Sequence, residues 1–414
     1  MSHPFVALLA ERIVVFDGAM GTQIQARALG PEDFWGKEGC NELLVLSRPE
    51  VIAEIHAAYL HAGAMVIETN TFGANRVVLS EYGEEERTYE INRAAAALAR
   101  RVAGDFHRLD EPRFVAGSIG PGTRLPTLGQ IDFRTLRASY LEQALGLLDG
   151  GVDLFMIETC QDPLQIKAAL DAVQEAMRQR GRRIPVIVSL TIEPTGSMLV
   201  GTDVQTALAI LSRYELTALG LNCATGPEQM DAHLRLLAAQ SPFALSCLPN
   251  AGLPENVGGR AVYRLSPEEL ARWMRTFVLD LGVQIVGGCC GTTPEHIRLL
   301  RQSVEGLAPR ARNPEYIPSV TSLYQSLPTR LEPAPLLVGE RLNANGSRQF
   351  RELLLAEDWE GMVQMAREQV REGAHLLDVC VAYVGRDERR DMTELVRRLV
   401  LEVEAPLMID STDP

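Results

Sequence analysis

Apolar residues along the 414-residue chain fall into two alternating textures. Short runs such as LFMIETC and PVIVSL are apolar almost throughout. Longer stretches such as RPEVIAEIHAAYLHAG and TLRASYLEQALGLLDGG follow them, with apolar residues returning at helical spacing. A run buried on both faces is what a parallel strand under helices requires. Four junctions share one signature, in HAGAMVIETN, DGGVDLFMIET, DLGVQIVGGCC and REGAHLLDVC. A helix-like stretch ends in glycine and a strand begins at once, the glycine supplying the left-handed cap.

Eight strand-like runs precede residue 304, at 13–20, 65–72, 113–120, 154–160, 185–192, 218–224, 243–252 and 283–290. Eight alternating units predict an α/β fold, a closed (β/α)8 TIM barrel rather than an open doubly wound sheet. The GSIGPG stretch lacks the spacing of a dinucleotide fingerprint. From 304 the texture breaks. LAPRARNPEYIPSVTSLYQSLPTRLEPAP is rich in Pro and Arg and aperiodic, so it reads as a strapped linker with Tyr316 and Tyr324 as anchors. Strand-like runs resume at 336–342, 376–381 and 407–411, too few to close a barrel. The expected division is 1–303 for the first barrel, 304–335 for the linker and 336–414 for the start of a second barrel, truncated as in a fragment.

Composition narrows the chemistry. With 46% hydrophobic and 23% charged residues the chain is globular, and a net charge of −14 argues against nucleic-acid or polybasic membrane binding. No run is long and apolar enough to span a membrane, and the N-terminus lacks a signal-peptide pattern, so a cytoplasmic location is expected. Lys37 and Lys167 are the only lysines, and neither lies in a P-loop or a Schiff-base setting.

In a βα barrel, chemistry gathers where the strands end. Those ends carry Asp17, Glu68, Glu158, Asn222, Cys223, Asn250 and the adjacent pair Cys289–Cys290. Neighbouring side chains on a strand face opposite ways, so two adjacent thiols converge only if the backbone turns. Gly287, Gly288 and Gly291 permit that turn. The pair then forms a clamp, and Cys223 supplies a third thiolate. Three thiolates suit Zn²⁺ and leave a fourth position open. The alternatives are three small buried hydrophobes or a vicinal disulfide. A thiol bound to such a zinc loses its proton yet stays nucleophilic, which points to thiol alkylation. If the thiol is an amino acid, Asp17 and Glu158 are placed for its ammonium and the DGAMGT turn for its carboxylate.

The motifs DGAMGTQIQ, ETNTFGAN, GSIGPG, GLNCATGPE, PNAGLP and GGCCGTTPEHI, in this order, resemble the homocysteine S-methyltransferase family. The resemblance implies zinc on Cys223, Cys289 and Cys290, homocysteine as substrate, and the Asn250 amide oxygen on the metal when substrate is away. Further on, LLVGERLNANGS, GAHLLDVCVA and PLMIDST resemble a pterin-binding barrel, implying folate contacts at Glu340, Asn343, Asp378 and Asp410. Cys380 stands where that family usually has Asn. The two in tandem resemble the cobalamin-dependent methionine synthases. This implies methyl transfer from methylcobalamin on a domain absent from this chain, with methyltetrahydrofolate as methyl source. One rival is a cobalamin-independent enzyme using betaine or S-methylmethionine, which predicts aromatic residues over the mouth. Another is a structural zinc site, which predicts a fourth protein ligand.

Overall fold

The structure, a computed structural model, describes residues 3–258 and 260–412. Residues 1 and 2 of the first expected domain and 413 and 414 of the last lie outside the described residues. The chain folds into two compact units, one of Met1–Val200 with Tyr214–Glu315, the other of Gly201–Arg213 with Tyr316–Pro414. Residues 304–315, read from sequence as the start of the linker, thus go with the first unit, and Gly201–Arg213 with the second.

The first unit is an eight-stranded parallel sheet with alternating helices. Its strands are β1 (Val14–Val15), β2 (Val66–Glu68), β3 (Phe114–Ile119), β4 (Leu154–Cys160), β5 (Val186–Leu190), β6 (Ala218–Asn222) and β7 (Ala244–Leu248). A two-stranded hairpin, β8 (Glu255–Val257) and β9 (Arg260–Val262), precedes the last of them, β10 (Ile285–Val286). The order is β1-β10-β7-β6-β5-β4-β3-β2, and a parallel bridge between Phe16 and Val66 joins the ends into a ring. Each strand lies inside its predicted run, and β4 matches at both ends. The punctuating glycines Gly63, Gly151 and Gly282 all have positive φ, between 70° and 97°.

Helix α1 (Pro4–Glu11) was not anticipated. Its Phe5, Leu8 and Leu9 are buried in one cluster with Val14, Val66, Phe114 and Leu154, which sit at or near strand starts. Phe5 meets Phe114 edge-on at 5.6 Å. The helix therefore stoppers the N-terminal end of the barrel and leaves the C-terminal end for chemistry. The segment before 316 is pinned by Arg312, whose guanidinium donates to the carbonyls of Ala238 and Ser241 at the end of helix Pro227–Gln240. Helix Pro267–Thr276 starts with a capping box: Ser266 Oγ accepts from Glu269 N–H, and the Glu269 carboxylate accepts from Ser266 N–H. Ser266→Ala is expected to destabilise the barrel by about 1 kcal/mol in chemical denaturation. An unchanged midpoint would show that the cap is dispensable.

In the second unit, β11 (Ser319–Thr321) and β12 (Ser326–Pro328) form a hairpin inside the stretch expected to be irregular. Tyr324 donates its hydroxyl to Leu401 O, and the Tyr316 hydroxyl lies 2.8 Å from Ser212 Oγ. Strands β13 (Val338–Asn343), β14 (Leu376–Cys380) and β15 (Leu407–Ile409) run parallel over a core that includes Phe350, Leu377 and Leu395. This is a second barrel only begun. Among the described residues, no helix is long and apolar enough to cross a membrane.

Candidate active site

Three loops at the C-terminal end of the first barrel are laced together by backbone hydrogen bonds. Cys289 N–H donates to Pro249 O at 2.8 Å, Ala251 N–H to Cys290 O at 2.9 Å, and Asn250 N–H to Thr225 O at 3.1 Å. The loops after β6, β7 and β10 are thereby held as one piece. A fourth loop joins through Thr292, whose Oγ accepts from Ala19 N–H at 3.1 Å and donates to Cys289 O at 2.7 Å. Gly18 and Gly288 are needed there, because a Cβ on either would lie 2.5 Å from that oxygen.

This lacing brings Cys223, Cys289 and Cys290 together, with all three sulfurs within 4.8 Å of one another. Cys223 Sγ and Cys290 Sγ are 3.9 Å apart. Two sulfurs on a tetrahedral zinc, each ~2.3 Å from it, lie ~3.8 Å apart. The spacing therefore fits the ion. Cys223 itself has φ +61° and Ala224 +53°, so the backbone turn that the sequence assigned to the paired cysteines occurs at Cys223 as well. Hydrogen bonds from Cys223 and then Cys289 hold Cys290 far below the usual thiol range. Its hydrogen bond to Cys223, then that to Cys290, pushes Cys289 up. Among the described residues, no other His, Cys, Asp or Glu joins the three. Asn250 does not line the cavity beside them, but its Oδ1 is buried without a protein partner.

The thiols form one wall of a cavity of about 230 Å³. Asp17, Glu42, Glu68 and Glu158 also line it, and no Lys, Arg or His does so among the described residues. Asp17 Oδ2 accepts from Glu68 N–H at 3.0 Å. Glu158 Oε1 accepts from Ser118 Oγ at 2.5 Å, and its Oε2 lies 3.4 Å from Asn222 Nδ2. Burial raises all four carboxyls, Asp17 and Glu68 well above the usual range and Glu158 to about 7. Their mutual repulsion adds to this at Asp17 and Glu68. With no Lys, Arg or His in the described lining, a cationic group entering this space would have the carboxyls as its partners.

Some residues here were not legible in advance. Glu68 had a predicted strand end but no role; it lies on the cavity wall with a buried Oε1 that has no partner. Tyr263, just after β9, packs against Gly291, where a Cβ would lie 2.3 Å from its ring. Only tracing the hairpin back over the mouth could have found it. Phe72, 43% exposed, is the one aromatic residue in the described lining. His56 is fully buried on its helix, away from the lining.

In the second unit, Asn343 ends β13, Asp378 is the middle residue of β14 and Asp410 follows β15, on three neighbouring parallel strands. Asn343 Nδ2 is 3.4 Å from Asp378 Oδ2, and Asp410 N–H donates to Val379 O. Glu340 is exposed in the irregular stretch of β13 between Gly339 and Leu342. Cys380 is buried beside them; burial, then the charge of Asp410, raises its thiol.

Comparison with known proteins gives a consistent frame. The family model for homocysteine S-methyltransferase matches residues 14–304, and that for pterin binding enzyme matches 339–414. The chain is 48% identical over 410 residues to methionine synthase of Mycobacterium leprae and 47% identical over 406 residues to that of Mycobacterium tuberculosis. Each alignment covers 98% of this chain but 34% of the relative, so the chain spans about a third of the length of the curated relatives it matches. Among solved structures, the metallated form of the homocysteine methyltransferase MmuM from Escherichia coli aligns with TM-score 0.58 and 24% identity, covering 72% of this chain and 98% of that one. At that identity the likeness is one of fold.

Proposed function

The chain belongs to the homocysteine S-methyltransferase family, and from that premise we propose that its barrel binds homocysteine, activates the sulfur as a zinc thiolate and methylates it to give methionine. The observation that carries this reading is the make-up of one cavity. Three thiols spaced for a tetrahedral ion stand on one wall, and buried carboxylates without a cation line the same space.

Cys223, Cys289 and Cys290 would hold the zinc. When bound, it lets a substrate thiol lose its proton while the three thiolates keep electron density on the sulfur. The residues of the chain do the rest. Asp17 and Glu158 receive the ammonium, fixing the direction of the amino acid. Asn250 Oδ1, buried and unpartnered, is available to the metal when substrate is away. Anchoring one end of the substrate aligns the sulfur at the other and removes much of the entropy cost of reaction.

In the reading we favour, the methyl group comes from methylcobalamin carried by a cobalamin-binding domain of the longer enzyme. Methyltetrahydrofolate is the ultimate source, bound in the second barrel by Glu340, Asn343, Asp378 and Asp410. The pterin-binding match at 339–414 and the scarcity of aromatics in the cavity lining favour it over betaine or S-methylmethionine. We assign the two functions to 1–303 and 336–414 with 304–335 as the connection, a division drawn by function and not by packing. A reducing, cytoplasmic setting suits three free thiols.

The zinc-loaded chain, mixed with homocysteine and free methylcobalamin, is expected to form methionine as the cobalamin spectrum shifts to the demethylated form. Methionine formed faster from S-methylmethionine or betaine would replace the donor. Failure to bind homocysteine at all would remove the whole reading.

A further inference from the structure

The two ends of the cavity are joined by a residue given no role so far. Asn222 is the last residue of β6, immediately before Cys223. Its Oδ1 accepts from Thr159 N–H at 2.9 Å. A backbone N–H can only donate, so this contact fixes the amide orientation. Nδ2 is thereby turned to Thr159 Oγ1 at 2.8 Å and Glu158 Oε2 at 3.4 Å.

Both residues beside these groups have unusual backbones. Thr159 has φ +55° and Cys223 +61°, left-handed conformations that non-glycine residues adopt at a cost. Each turn lets two successive side chains line one cavity: Glu158 with Thr159, and Asn222 with Cys223. A regular strand would send one of each pair to the other face. The Asn222 amide spans the two turns. Ser118 grips one Glu158 oxygen, and Asn222 faces the other.

We propose that Asn222 is a positioning residue that ties the ammonium-binding carboxylate of Glu158 to the turn presenting the Cys223 thiol, so that the site requires both ends of an amino-acid thiol at a set separation. This rests on the proposed homocysteine reading. Asn222 does not act on the reacting sulfur; it acts through Glu158 and Thr159.

The test uses two thiols, L-homocysteine and 4-mercaptobutyrate, which lacks the amino group. Their affinities are measured on the zinc-loaded chain together with metal content. Wild type should prefer homocysteine. In Asn222→Ala that preference should fall about tenfold, the scale of a hydrogen bond to a charged group, with zinc content and 4-mercaptobutyrate affinity unchanged. Parallel weakening of both thiols, or an intact preference, would overturn the inference. Asn222→Asp covers the case in which alanine fails to fold. It keeps the acceptor for Thr159 N–H but loses the donor to Glu158, so it too should lose the preference while keeping zinc. Wild-type preference in that variant would refute the link to Glu158. A wild-type chain with no preference would instead remove the ammonium subsite of the proposed function, and this inference with it.

Discussion

Cys290→Ala is expected to leave the chain folded but unable to retain zinc, with metal affinity falling by at least about a hundredfold and turnover with it. Alanine removes one of the three sulfurs spaced for the ion. Two thiolates cannot hold a tetrahedral ion as three do, and no other His, Cys, Asp or Glu stands by among the described residues. Cys223→Ala and Cys289→Ala should behave alike. Cys380→Ala, in the second unit, removes a thiol without touching the cluster and should keep full metal content. Metal analysis and homocysteine binding on the four variants check this. Zinc retained by Cys290→Ala at wild-type affinity would end the three-thiolate reading.

Glu158→Gln should move stability and function in opposite directions. Burial raises the wild-type carboxyl from 4.5 to about 7, opposed by the Ser118 hydrogen bond and helped by negative charge on Cys290. The folded state therefore binds the proton more tightly than the unfolded chain does. The stabilisation this brings is complete below the unfolded value and is lost as pH rises through about 7. Glutamine never ionises and escapes that loss. The variant should thus gain on wild type between those values, reaching up to about 3 kcal/mol above neutrality. Homocysteine affinity should fall about a hundredfold or more, because a buried ammonium loses its charged partner. Denaturation at pH 5 and pH 8, with homocysteine titration at pH 8, reads both. Equal stability at the two pH values, or undiminished affinity, would contradict the assignment.

Much of the fold was legible because buried parallel strands must be apolar on both faces and must follow glycine-capped helices. Leu154–Cys160 satisfies both conditions and was found end to end. The run 283–290 shrank to Ile285–Val286 because its glycines and cysteines leave the ladder to form the site. Helix α1 was missed because eight residues give too short a period to separate from a loop. The linker hairpin has only three residues per strand, all half-buried, so it has no hydrophobic alternation to display. Within the site, the cysteines were legible as chemistry. Asn222 and Glu68 were placed at strand ends but their surroundings were not legible, since these depend on left-handed turns and on burial, which no residue type announces.

Helix α1 and the apolar residues packed on it plug the foot of the barrel, while the cavity opens among the strand ends that carry the thiols. If the barrel works as proposed, amino acid and methyl carrier would approach from that same side, and an arriving carrier would cover the ground over which methionine leaves.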